Sequence, residues 1–212
     1  AESGPSGNTA ALPSHHAAQC NLGRSRLAWQ VTVFMGTQSA MAYIVMGWLA
    51  PILRERGLSS EAAGYVVATS ILTQLVTSLV TPSIAARCKD QRGLAAGLAV
   101  VVSVSLLALI LAPLSGRWLW AVLLGCGLGS AFSLALSLIV MRSPTMQVTA
   151  QLSAMAQGWG YALAAFGPLL VGLLRDWTGS YTSAAALIVA LAVAMAWSGW
   201  GAGRNLLVSH AP

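Results

Sequence analysis

Apolar and polar positions along this chain come in long blocks, not in short alternating periods. Six runs carry no Asp, Glu, Lys, Arg or His at all: Leu27 to Leu53, Ala62 to Ala86, Leu94 to Leu114, Trp118 to Met141, Ala150 to Leu174 and Tyr181 to Trp200. A helix crossing a hydrocarbon core of about 30 Å needs about 20 predominantly apolar residues, and every run is that long. The runs are rich in Leu and Ala and lack the two-residue alternation of membrane barrel strands. The pattern predicts an all-α integral membrane chain with six transmembrane helices. Residues 1–26, rich in small and polar side chains and without a signal-type apolar core, read as a flexible linker. Residues 27–203 form the transmembrane domain and 204–212 a tail. The chain opens on Ala rather than Met, so it reads as a piece of something longer.

Composition agrees with the blocks. Of 212 residues, 57% are hydrophobic and only 8% charged, and the mean hydropathy of +0.73 is too high for a surface wetted on all sides. Cys20, Cys88 and Cys126 have no metal-ligand spacing and read as incidental. His15, His16 and His210 are terminal, which leaves no intramembrane imidazole for zinc or a proton relay. No metal and no cofactor is expected.

The net charge of +6 could suggest nucleic acid, but its distribution points to a bilayer. With residues 1–26 placed in the cytoplasm, Arg24, Arg26, Arg87, Lys89, Arg92, Arg142 and Arg204 fall inside, and Arg54, Arg56, Arg117 and Arg175 outside. That excess follows the positive-inside rule and puts both termini in the cytoplasm. Trp29, Trp118, Trp120, Trp177, Trp197 and Trp200 stand near helix ends, as an interfacial aromatic belt requires.

Two loop segments echo one another. Pro82 to Gly93 reads PSIAARCKDQRG and Pro168 to Gly179 reads PLLVGLLRDWTG, with Pro, a basic-Asp pair and Gly at the same offsets, 86 residues apart. The first follows the second helix and the second follows the fifth. An odd number of crossings separates them, so they lie on opposite faces: two three-helix units in inverted repeat, a construction common in secondary transporters.

At this point a resemblance can be stated. RCKDQRG resembles the degenerate second-half copy of the cytoplasmic loop signature of the major facilitator superfamily. GTQSAMAYIVMGWLAPIL in the first helix and LSAMAQGWGYALAAFGPLLVGLLRDWTGSY in the fifth are similar to the cyanate and 2-nitroimidazole permease family, from about Leu27 to Trp200. The resemblance implies the C-terminal six-helix half of a permease, residues 1–26 being the end of the central loop. It implies alternating-access transport of a small anion or small polar organic solute such as cyanate or a nitroimidazole, in a bacterial inner membrane. The partners are then the solute, the lipid bilayer and an N-terminal six-helix half or a second copy, with no role for nucleic acid.

Polar faces sort the helices independently. Ser70, Thr73, Gln74, Thr77, Ser78 and Thr81 recur at steps of three and four on the second helix, and Cys126, Ser130, Ser133 and Ser137 do so on the fourth. The third and sixth helices are nearly uniform Val, Leu and Ala and are expected to face lipid. Buried amides are costly to leave unmet in hydrocarbon, so Gln38, Gln74 and Gln157 stand out, each as a substrate contact or as a bond to a neighbouring helix. Gln38, Gln157 and Tyr161 rank first as cavity residues, with Tyr43, Gln74 and Trp48 behind them. Gly167-Pro168 is expected to kink the fifth helix as a hinge. Arg87, Asp90 and Arg92 are expected to form a gating loop, and Arg142 an interfacial anchor. Gly125-x-x-x-Gly129 reads as a close helix contact and not a nucleotide-binding turn.

Other readings make different demands. A membrane serine protease of rhomboid type needs a buried Ser-His pair, and Ser130 has no histidine in any helix to serve it; no enzyme is expected. A carrier for another cargo such as an organic acid, or a non-transport scaffold subunit, would share the same helices.

Overall fold

The computed structural model describes residues 22–208, so His15, His16, Cys20 and His210, with nearly all of the expected linker, lie outside the described residues. After a short 3-10 turn at Leu22–Arg24 come six helices: α1 Arg26–Glu55, α2 Ser60–Arg87, α3 Arg92–Leu111, α4 Arg117–Met141, α5 Met146–Thr178 and α6 Ala184–Ala202. Each is long and apolar enough to cross a membrane. The chain is an all-α integral membrane protein, as the block pattern predicts.

Helix ends follow local chemistry. The Ser25, Ser59 and Thr145 side chains accept from the backbone N–H three residues on, capping α1, α2 and α5. Because Thr145 caps early, α5 begins four residues before the predicted Ala150. It ends four beyond Leu174, where Gly179 turns the backbone left-handed at φ 71°. Conversely α3 stops at Leu111, short of the predicted Leu114, since Pro113 disfavours helix at the residue before it.

The two most extensive pairings are α2 with α4 and α1 with α5; next come α3 with α6, α1 with α6 and α3 with α4. Exchanging α1 with α4, α2 with α5 and α3 with α6 maps this set onto itself, which is the inverted repeat expressed as packing.

Small residues set the closest crossings. A Cβ on Gly125 would fall 2.2 Å from the Ser70 carbonyl oxygen, and one on Gly129 2.2 Å from that of Gln74, so α4 presses directly on the backbone of α2. Gly127, on the other side of α4, lies as tightly under Val102 of α3, 2.7 Å from its side chain. Three alternate glycines thus wedge one helix between two. On the α1–α5 crossing Gly36 faces Gly160, and Gly167 faces Ala40.

Arg142 corrects the expectation of an interfacial anchor. It is 1% exposed, with Nε donating to the Ala202 carbonyl at 2.9 Å and Nη2 to the Gly203 carbonyl at 3.1 Å and to Gln91 Oε1. Gln91 in turn donates to the Ala85 and Cys88 carbonyls, joining the ends of α2, α3, α4 and α6. Burial pushes the arginine's pKa down and Asp90 pushes it back up; an arginine stays charged through such a change. The carbonyls of a helix C-terminus carry partial negative charge and lack intrahelical donors, so the guanidinium fork satisfies them directly.

Candidate functional site

Charged side chains within the described helices sit in the first or last turns only: Arg26, Arg54, Glu55, Glu61, Arg87, Arg92, Arg117, Arg175 and Asp176. The middle of the bundle must therefore be read through its neutral polar and aromatic groups.

Such groups gather on one open face. Tyr43 of α1 and Tyr161 of α5 approach with ring centroids 6.5 Å apart at a 38° tilt, Tyr43 being 37% exposed and Tyr161 half-buried. Gln157 stands one turn before Tyr161 on the same stripe, and its amide donates to Ser153 Oγ at 2.6 Å. One turn beyond Tyr43, Met46 borders a cleft of about 330 Å³ between α1, α2 and α4, whose polar lining comes from Gln74 and Ser78, with Phe132 as its aromatic wall. Tyr43, Gln74, Phe132 and Tyr161 each lie within a turn of their helix's midpoint, so the face sits at mid-membrane depth.

The other expected residues are placed differently. Gln38 is 1% exposed; its amide donates to Ser39 Oγ at 2.7 Å and approaches Met35 Sδ at 3.4 Å, so it belongs to the packed interior of α1 and not to the open face. Five residues from Tyr43, it points about 140° away around a helix that runs unbroken. Trp48 donates from Nε1 to the Pro168 carbonyl at 2.9 Å, its ring occupying the space that a side chain at Gly172 would fill. It brackets α1 to α5 beside the proline, and α5 continues as one helix through Gly167 and Pro168. The hydroxyl stripe of α2 faces α4, with Thr77 reaching the Gly125 carbonyl at 3.5 Å and Ser133 donating to the Ser78 carbonyl at 2.5 Å. Ser133 thus serves as a link between helices.

At the loop after α2, Asp90 Oδ1 accepts from the Arg92 backbone N–H at 3.3 Å, and its other oxygen lies 3.8 Å from Arg92 Nε. Arg87 is exposed. At the opposite end Glu55 pairs with Arg175 at 3.0 Å, while Arg175 lies over the Tyr181 ring at 5.0 Å and Tyr181 packs on Trp48 at 5.7 Å. Met46 and Phe132 were not singled out from sequence: among so many apolar residues, nothing in type or spacing marks the few that face an opening. Among the described residues no cluster of His, Cys, Asp and Glu could hold a metal ion.

A six-helix bundle of two inverted triplets has the architecture of one half of a major facilitator fold. Comparison with known proteins narrows this. The chain is 43% identical over 183 residues to an uncharacterized transporter, YycB, of Bacillus subtilis, matching 85% of this chain and 45% of that protein. It is 37% identical over 182 residues to the 2-nitroimidazole transporter of Escherichia coli, 86% of this chain and 46% of the relative. Against the cyanate transport protein CynX of Escherichia coli it is 32% identical over 154 residues, 73% and 40%. No family model matches. Along most of its own length the chain is similar to these permeases of the major facilitator type, and it spans about half the length of the curated relatives it matches.

Proposed function

We propose that this chain is the C-terminal half of a secondary transporter that moves a small anion or small polar organic solute, such as cyanate or a nitroimidazole, by alternating access against a second six-helix half. The observation that carries the reading is the mid-depth face of Tyr43, Gln74, Gln157 and Tyr161, which offers hydroxyl and amide donors and two aromatic rings without a fixed charge. Planar, weakly hydrated solutes suit such a lining, because the rings cover their faces while the donors meet nitro, carbonyl or anionic atoms at their edges. A full negative charge would need a cationic partner, which the missing half would supply. Gln38 stands behind this face as a support, and Trp48, Gly167 and Pro168 form the α1–α5 joint on which the outer end would flex.

The loop of Arg87, Asp90 and Arg92 acts in this reading as a latch against the partner half. The excess of basic residues at this end supports, by the positive-inside rule, a cytoplasmic side for the loop and both termini, in a bacterial inner membrane. The reading is tested with the full-length protein in proteoliposomes, measuring uptake of labelled cyanate and of 2-nitroimidazole. Saturable uptake that weakens when Tyr161 or Gln157 is replaced by Ala supports it. A full-length protein that transports neither solute, or transports both with unchanged KM in those variants, removes it in favour of another cargo such as an organic acid, or of a scaffold role.

A further inference from the structure

The face of the bundle formed by α3 and α6 carries a cleft of about 300 Å³ lined by Val100, Ser103, Val104, Val189, Val193 and Ala196. It takes no part in the mid-depth face described above. Extended toward the loop after α2, its two walls reach a charged end. On α3, Arg92 and Ala96 continue the stripe of Val100 and Ser103 at helical steps, and on α6, Trp200 continues the stripe of Val189, Val193 and Ala196. The stripes meet there, with the Arg92 guanidinium 6.0 Å over the Trp200 ring.

Arg92 is under-employed at that spot. Its Nε is shielded from solvent and has no hydrogen-bond partner, the Asp90 carboxylate standing 3.8 Å away, and among the described residues its side chain donates no hydrogen bond. A cation with one shielded, unpartnered N–H above an apolar furrow that opens to the bilayer is a lipid-shaped arrangement. From Arg92 to Val104 is twelve residues, about 18 Å along the helix, close to the roughly 15 Å depth of one leaflet. Arg87 and Lys89 on the same loop leave that end net positive despite Asp90.

We propose that this furrow binds one anionic glycerophospholipid, with its phosphate on Arg92 beside the Trp200 ring and one acyl chain lying between Val100, Val104, Val189 and Val193. The small β-branched side chains leave room for a chain along the furrow, and Trp200 marks the headgroup level at which its amphipathic ring is favoured.

The test uses the full-length protein, delipidated in detergent and titrated with phosphatidylglycerol or phosphatidylcholine, retained lipids being counted by native mass spectrometry. Wild type is expected to keep one phosphatidylglycerol at collision energies that strip phosphatidylcholine. Arg92→Gln, which removes the cation, and Val193→Trp, which fills the furrow from an exposed position, should each lower that retention at least 5-fold. Both variants must elute as monodisperse protein, with Val100→Phe replacing Val193→Trp if needed. Equal retention of the two lipids, or retention unaffected by the furrow-filling variant, overturns the proposal. A dimer that Val193→Trp dissociates, with no lipid retained, assigns the furrow to a second copy and overturns it as well.

Discussion

Arg56 and Arg142 stand 86 residues apart, the offset of the Pro...Asp...Gly echo, and do the same thing at opposite ends of the bundle. Each follows the first helix of its triplet and donates to the final carbonyls of the third: Arg56 to Leu109, at 2.6 Å, and to Ala112, and Arg142 to Ala202 and Gly203. A guanidinium fork suits two adjacent carbonyls where an ammonium does not. Removing Arg142 as Arg142→Met should therefore cost at least the roughly 1–3 kcal/mol of one buried acceptor left unpaired, and Arg142→Lys should recover only part of it. Arg56→Met, at a half-buried site, should cost less. Thermal unfolding of the full-length protein in detergent checks the ranking; equal melting temperatures for Arg142→Met and wild type would refute the clasp.

The same pair shows what could be read from sequence and what could not. Six helices were legible because a bilayer imposes a length of apolar sequence that nothing else in the chain imitates. The repeat was legible from Pro82, Asp90 and their mates, but the pairing of Arg56 with Arg142 at the same offset of 86 was not drawn from sequence. Arg142 was misplaced, since a basic residue at a helix end has the same sequence signature whether it reaches lipid headgroups or turns inward onto a neighbour's carbonyls. Gln38 met the opposite difficulty. An amide in an apolar run marks a polar need, but whether a neighbour such as Ser39 or a solute meets it depends on which way α1 is rotated. The hydropathy of so uniform a helix does not encode that.

Gly125 offers a sharper test of the packing. A methyl group there has no room above the Ser70 backbone, whereas one at Gly158 meets nothing within 4 Å. Gly125→Ala should push α2 and α4 apart and destabilise by about 1–3 kcal/mol, as overpacking does. Gly158→Ala should be neutral or slightly stabilising, because it replaces a poor helix former in open space. Melting curves of the two variants side by side decide this, and equal loss in both would mean the α2–α4 crossing tolerates separation.

For the aromatic pair, ring and hydroxyl can be separated. If Tyr161 meets solute through its ring, Tyr161→Phe should leave KM for 2-nitroimidazole within about 3-fold, while Tyr161→Ala raises it by about 10-fold, the effect of losing an interaction worth about 1.4 kcal/mol. If the hydroxyl is the contact, Phe should behave like Ala. Uptake kinetics in proteoliposomes distinguish the cases, and an unchanged KM in both variants takes Tyr161 out of the site.

Asp90 separates a local role from a long-range one. Among the described residues its carboxylate bonds and pairs only with Arg92, and both side chains are well exposed, at 49% and 37%. Such a pair contributes at most about 1 kcal/mol, so Asp90→Asn should barely move the melting temperature of the full-length protein. A latch against the other half predicts something else: loss of a contact made in one conformation only shifts the balance between inward-open and outward-open forms by that contact's differential energy. Cysteine accessibility from each side of the membrane reads that balance directly. A shift together with altered transport at unchanged stability assigns Asp90 to the gate, and unchanged accessibility and transport would leave it a cap on the start of α3.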